Sequence, residues 1–331
     1  MNKDSSTPTI QTSIDIFIHM VEQSRSKNTA LSYAKGLKLY AQVLEDHKMQ
    51  TETTPVNLLN EDTLPWYLDA LKDFAPATEQ LYSATVTRFF NFLMAEKFAD
   101  INLARTREII RMRTRRLGQR LPQFPRTDID QILDYLQTMQ IDVEGNQQLR
   151  DLRDKAFLIV LADTGLRVHE ACGLRRGDID WNEGHAIIIG KGNKQAVIRF
   201  SKRSMIALQE YLKIRSKLDG STGKPLSSLP LFSRHDNGAG KKIKPVTPTT
   251  GRNIVDERSR QILGEEAKGR ITPHSFRHYF VTTVLRGSGN LKLAQELARH
   301  ASISVTQRYA HISDDELDRG YFEIFDSSQK E

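Results

Sequence analysis

The chain has 331 residues, 38% of them hydrophobic and 27% charged, with a formal net charge of +7. That length suggests two domains, and that composition excludes a disordered chain. No apolar run reaches the ~20 residues of a membrane span, and the polar start MNKDSSTPT lacks a signal peptide's apolar core, so a cytoplasmic protein with no membrane contact is expected. One cysteine, Cys172 in ACGL, permits no internal disulfide or cysteine metal cluster and reads as a small buried hydrophobe. The positive charge favours a polyanionic partner.

Residues 1–9 are expected to be disordered, and residues 10–105 to form a module of four or five helices. Ile14, Phe17, Ile18 and Val21 make one apolar stripe; Leu37, Tyr40, Ala41 and Leu44 make another. A third helix is predicted from Leu64-Pro65 to Phe74, capped by Asp62 or Thr63, and a fourth from Pro76 to Lys97. Lys27, Asn28 and Thr29, with Tyr33, stand at a helix start whose free N–H groups suit a phosphate. An ordinary N-cap explains the same residues equally well.

Residues 106–125 read as a basic linker. The stretch from Arg105 to Arg126 holds eight arginines and one acid. Arginine at this density, without lysine, suits phosphate contact, so Arg111, Arg113, Arg115 and Arg116 are candidates.

Residues 126–331 form the second predicted domain. Helices are expected at 128–136 and 152–162, the second almost wholly apolar and ended by Thr164-Gly165. Arg167 opens a short helix, with Glu170 one turn later on the same face. The β-rich runs 186–189 and 196–198 flank GKGNKQ as a hairpin with Lys191 at its tip, and Lys194 beside it. Residues 204–217 are helical. Residues 220–250, rich in Gly, Ser, Pro and Lys, read as a mobile loop in which Lys241 and Lys242 are candidate DNA contacts, solvated charges being at least as good a reading.

Thr272-Pro273 is a strong helix start, and Phe276, Phe280 and Val284 recur on one face until Gly287 or Gly289. His274 and Arg277 are neighbours on that helix and can reach one anion together. Asn290 caps a further helix to His300, and a last helical piece carries Tyr309. Residues 314–325 form an amphipathic C-terminal helix.

The ordered set Arg167, Lys191, His274-x-x-Arg277, His300 and Tyr309 resembles the active site of the tyrosine recombinase (phage integrase) family, in its simple, Xer-like form. The resemblance covers roughly residues 10–325. It implies a mainly α fold with a small β-hairpin or sheet: a SAM-like core-binding domain, a linker crossing the duplex, and a catalytic domain whose tail docks on a neighbouring protomer. The implied reaction is site-specific recombination through a 3′-phosphotyrosyl intermediate, for Xer-like resolution or for integration and excision of a mobile element. The implied partners are a double-stranded recombination site and either a homo-oligomer, as a tetrameric synapse, or a second recombinase, in the nucleoid.

Tyr309 would then be the nucleophile, His274 its general base and Lys191 the general acid. Arg167 and Arg277 would hold the non-bridging oxygens, His300 would add a hydrogen bond, and Glu170 would orient Arg167. The cations are side chains, and neither a Mg²⁺-type carboxylate cluster nor a Walker glycine loop is present, so no metal or nucleotide cofactor is expected. The chain departs from the family in having Arg299 where glycine usually precedes the second histidine; if that position needs positive φ, arginine costs roughly 1 kcal/mol or more there. Two other readings are a type IB topoisomerase and a catalytically silent DNA-binding relative; the Xer-like spacing opposes the first and the filled motif the second.

Overall fold

The computed structural model describes residues 7–115, 125–141, 143–189, 195–236, 238, 242–300 and 302–307. The chain divides into two compact units, residues 1–120 and 121–331.

The first unit is helical: α1 (Ile10–Ser24), α2 (Lys27–Asp46), α3 (Leu64–Ala70), α4 (Pro76–Ala95) and α5 (Leu103–Arg113). The two predicted stripes meet an aromatic core, in which Phe17 lies 5.6 Å from Phe89 and 5.4 Å from Phe92. Gly36 lets α4 approach α2, since a Cβ there would stand 3.2 Å from the Tyr82 ring. Pro8 and Thr9, expected in a disordered tail, are structured. Thr9 caps α1, and the Pro8 carbonyl accepts from the Val56 amide at 2.9 Å. Thr63 does not cap α3: its hydroxyl bonds the Asn60 carbonyl and the buried Tyr40 hydroxyl instead.

α5 occupies much of the stretch expected to be linker and packs against α3 and α4. Asn102 starts it by accepting from the Arg105 amide at 2.9 Å. Its basic sequence coexists with a helix because acids on neighbouring turns take up the charge, Arg105 pairing with Glu61 and Asp62 and Arg113 with Asp69.

In the second unit α6 (Arg126–Thr138) leads to α7 (Asn146–Thr164) and α8 (Val168–Gly173). Strands β1 (Ile179–Asp180), β2 (His185–Ile189) and β3 (Gln195–Arg199) form one antiparallel sheet in that order, with Ile187 opposite Val197. The predicted hairpin thus gains a short third strand. Then come α9 (Lys202–Gly220), α10 (Pro248–Leu263), α11 (Pro273–Ser288), α12 (Leu291–Ala298) and α13 (Ile303–Gln307). The apolar helix α7 is the hub, packed against α9 and α11.

Within the expected mobile loop at 220–250, the stretch 229–236 and Val246 are packed into the second unit. Leu231 and Phe232 are fully buried, and Phe232 meets Phe157 edge-on at 5.0 Å. Arg215, itself fully buried, explains this: it donates to the carbonyls of Leu231 at 2.8 Å and Pro230 at 2.9 Å. Tyr211 adds a 2.7 Å bond to His235. Polar composition hid a segment whose backbone is satisfied by one helix face.

Candidate active site

Four elements converge on one region of the second unit: the α7–α8 junction, the start of α10, the start of α11 and the end of α12. Gly165 turns the chain out of α7 at φ 59°, and a Cβ there would strike the Phe280 ring. Arg167 follows at the N-cap of α8. On α11, Thr272 accepts from the Ser275 amide and Pro273 fills the first turn, which fixes His274 and Arg277 in register.

Arg277 is not on the surface as its helical position suggested; it is 3% exposed. Its two terminal nitrogens donate to the carbonyls of Gly165 and Ala298, tying α7 and α12 to α11. Arg167 keeps 42% of its side chain exposed and donates from Nη1 to Glu170 Oε1 at 3.0 Å. Glu170 Oε2 accepts from the Arg167 amide at 2.8 Å and from Arg299 Nη2 at 2.9 Å. Burial opposes ionisation of Glu170, but the Arg167 amide and the two guanidiniums outweigh it and hold its pKa below the usual carboxylate value.

Arg167, His274 and Arg277 line one cavity of about 310 Å³ with Val168, Arg252, Thr272 and Pro273. Burial, with the Arg277 and Arg167 charges beside it, pushes His274 below the ordinary imidazole pKa. The same causes, burial first, lower His300 to about 4. His300 Nδ1 pairs with the buried Thr306 hydroxyl at 2.8 Å. Both rings are therefore neutral at pH 7, able to accept a proton at one nitrogen and donate from the other.

Arg299, the departure from the family pattern, adopts φ 56° and ψ 45° at the C-cap of α12. The strained conformation, costing about 1 kcal/mol, is therefore real at this position. Three further residues escaped the sequence reading. His278 stacks edge-on with His274 at 4.3 Å, a relation its i+4 spacing contained. Arg252 reaches the cavity from α10, and Thr306 reaches His300 from α13; only the tertiary fold brings them there. Cys172 is buried, its thiol pushed up to about 12 mainly by desolvation.

Lys191, Tyr309, Lys194, Lys241, Arg116 and the predicted helix 314–325 lie outside the described residues. Among the candidate DNA contacts, Lys27 and Asn28 are exposed at the start of α2, while Ser26 already satisfies the Thr29 amide. Tyr33 is half-buried, stacked on Phe17 with the Arg88 guanidinium 5.9 Å from its ring centre. Arg111 forks onto Glu108 at 2.6 and 2.9 Å, and Arg115 is bound to Glu79. Lys242 is exposed.

The family model described as "Phage integrase family" matches residues 123–316, and "Phage integrase, N-terminal SAM-like domain" matches residues 17–97. The chain is 27% identical over 308 residues to a tyrosine recombinase XerC of Pediococcus pentosaceus, covering 93% of this chain and 95% of that one. It is 30% identical over 263 residues to the XerC of Thermodesulfovibrio yellowstonii, covering 78% and 77%. In fold it is similar to XerH recombinase bound to difH substrate in a pre-cleavage complex, with TM-score 0.64 and 18% identity over 96% of this chain and 90% of that one.

Proposed function

This chain belongs to the phage integrase family and is a site-specific recombinase, and from that premise we propose that Tyr309 cuts DNA at the cavity lined by Arg167, His274 and Arg277, with His300 assisting. The phenol oxygen attacks the scissile phosphorus and the bond to the 5′-oxygen breaks, leaving a 3′-phosphotyrosyl link. His274 takes the phenol proton and Lys191 gives one to the departing 5′-oxygen. Arg167 and Arg277 hold the non-bridging oxygens, where charge grows in the transition state. His300, held at Nδ1 by the Thr306 hydroxyl, donates a hydrogen bond from Nε2 to the phosphate in the tautomer protonated there. A 5′-hydroxyl from another strand reverses the step, so bond energy is conserved and the chemistry needs neither nucleotide nor metal.

The observation that carries this reading is the shared cavity: two arginines and a neutral histidine face one space, with one of the arginines held by a carboxylate on a single side-chain bond. Topoisomerase-like relaxation and silent binding are not favoured, because the relatives and the neighbour named above are all recombinases.

In this reading residues 10–105 grip the DNA core site, through Lys27 and Asn28 among others, and residues 126–331 carry the chemistry. Four protomers hold two duplexes, either four copies of this chain or a mixture with a second recombinase, and helix 314–325 of each docks on its neighbour. The biological task is Xer-like resolution, or integration and excision of a mobile element. The test uses a duplex carrying a candidate recombination site, nicked so that cleavage is trapped, in excess chelator. A covalent adduct on a denaturing gel, lost in Tyr309→Phe, is expected. Retarded DNA without an adduct on a verified site would overturn the enzyme mechanism.

A further inference from the structure

Arg299 combines two features that do not serve stability. Its backbone is left-handed, where glycine would relax it, and its side chain is only 13% exposed while Nε and Nη1 are buried without a hydrogen-bond partner among the described residues. What Arg299 does touch is Glu170. Carboxylate and guanidinium fit each other as a two-bonded fork. Glu170 left alone with Arg167 would have only the Arg167 amide on Oε2, and its negative charge would be set against the Arg167 guanidinium alone. Instead Oε2 is occupied by Arg299 Nη2 at 2.9 Å and by the Arg167 amide at 2.8 Å, so only Oε1 meets the Arg167 guanidinium, through Nη1 alone. The Arg167 side chain makes no other hydrogen bond among the described residues, and it lines the cavity. The Gly165 carbonyl that accepts from Arg277 lies 3.5 Å from Arg299 Nη2, so the same guanidinium also borders the support of the second cavity arginine.

We propose that Arg299 is a positioning residue for Arg167: it occupies and neutralises Glu170, so that the Arg167 guanidinium keeps its charge and most of its N–H groups for a phosphate. With Arg299 the trio carries a net positive charge; without it, Arg167 and Glu170 form a neutral pair. The inference rests on the reading of Arg167 as a phosphate clamp.

Single-turnover cleavage of the nicked trap duplex tests it, with binding of the same duplex measured alongside. Arg299→Met keeps the length and the backbone strain but removes the charge. It is expected to slow cleavage about 10-fold, less than the roughly 100-fold or more that a direct donor contributes, with binding nearly unchanged. Arg299→Gly should show the same slowing while melting no lower than the parent. Removing the freed carboxylate as well, in Arg299→Met with Glu170→Gln, should recover most of the rate, and Arg299→Lys should fall between. A purely structural Arg299 would not be rescued by Glu170→Gln. Arg167→Ala is the control: if it cleaves normally, the clamp reading itself fails. If Arg167→Ala is inactive but Arg299→Met cleaves at the parent rate, or is slowed without recovery in the double variant, the positioning role is overturned.

Discussion

Glu79 in the first unit and Glu170 in the second each serve basic partners, yet the two sites are built to opposite ends. Glu79 is fully buried and takes Lys72 at 2.8 Å, the Arg115 amide at 3.1 Å and Arg115 Nε at 2.5 Å, while Arg115 Nη2 goes to the Phe74 carbonyl. Arg115 thus commits its fork to its own domain. Arg167 is as exposed as Arg115, 42% against 40%, but spends a single guanidinium N–H on its carboxylate. Exposure does not separate these two arginines; the number of side-chain donors each has already committed does. Within 105–126, Arg105, Arg111, Arg113 and Arg115 all have acid partners in the first unit.

The comparison breaks most visibly on activity. Arg167→Ala should lower the single-turnover cleavage rate by about 100-fold or more while leaving the melting temperature within a degree or two, because the buried Glu170 side chain keeps the backbone amide of residue 167 and Arg299 as partners. A large loss of stability with cleavage intact would reverse the assignment. Arg277→Ala should lose as much activity and also stability, because two backbone carbonyls lose their donor; thermal melting separates it from Arg167→Ala.

On stability the effect should fall in the first unit. Glu79→Ala should cost about 2 kcal/mol in denaturant unfolding of that unit, since Lys72 and Arg115 lose a buried acceptor, with cleavage per folded molecule unchanged. Acid should act on the second unit. His278 and His300, both lowered to about 4 chiefly by burial, have folded pKa values below the unfolded one. Their neutral forms therefore stabilise the fold fully above about pH 6.5, and that contribution is lost as pH falls from there toward 4. His274, lowered in the same direction, should let cleavage persist below pH 6.5 before protonation stops it. A rate that rises on acidification through this window would contradict its role as base. Smallest of all, Lys27→Ala should reduce the salt slope of DNA binding by about one, whereas Arg111→Ala should change it less.

The helical architecture and the motif were legible because local rules govern them. Thr272-Pro273 and Asn290 start α11 and α12 where the sequence places caps, and Gly289 ends α11 in a left-handed turn. The packing at 229–236 was not legible, because Gly, Ser and Pro around it report turn chemistry and nothing about Arg215 beneath. The burial of Arg277 escaped for the same reason: its acceptors lie on other elements, 112 and 21 residues away. Arg299 was visible as a departure from the family's glycine, but only the fold joins it to Glu170.

The most direct test of the account is to digest the trapped protein–DNA adduct and identify by mass spectrometry the peptide that carries the 3′-phosphate. The account predicts Tyr309, in excess chelator, with the yield collapsing in Arg167→Ala. A phosphate on Tyr321, on another hydroxyl, or on no side chain would contradict it.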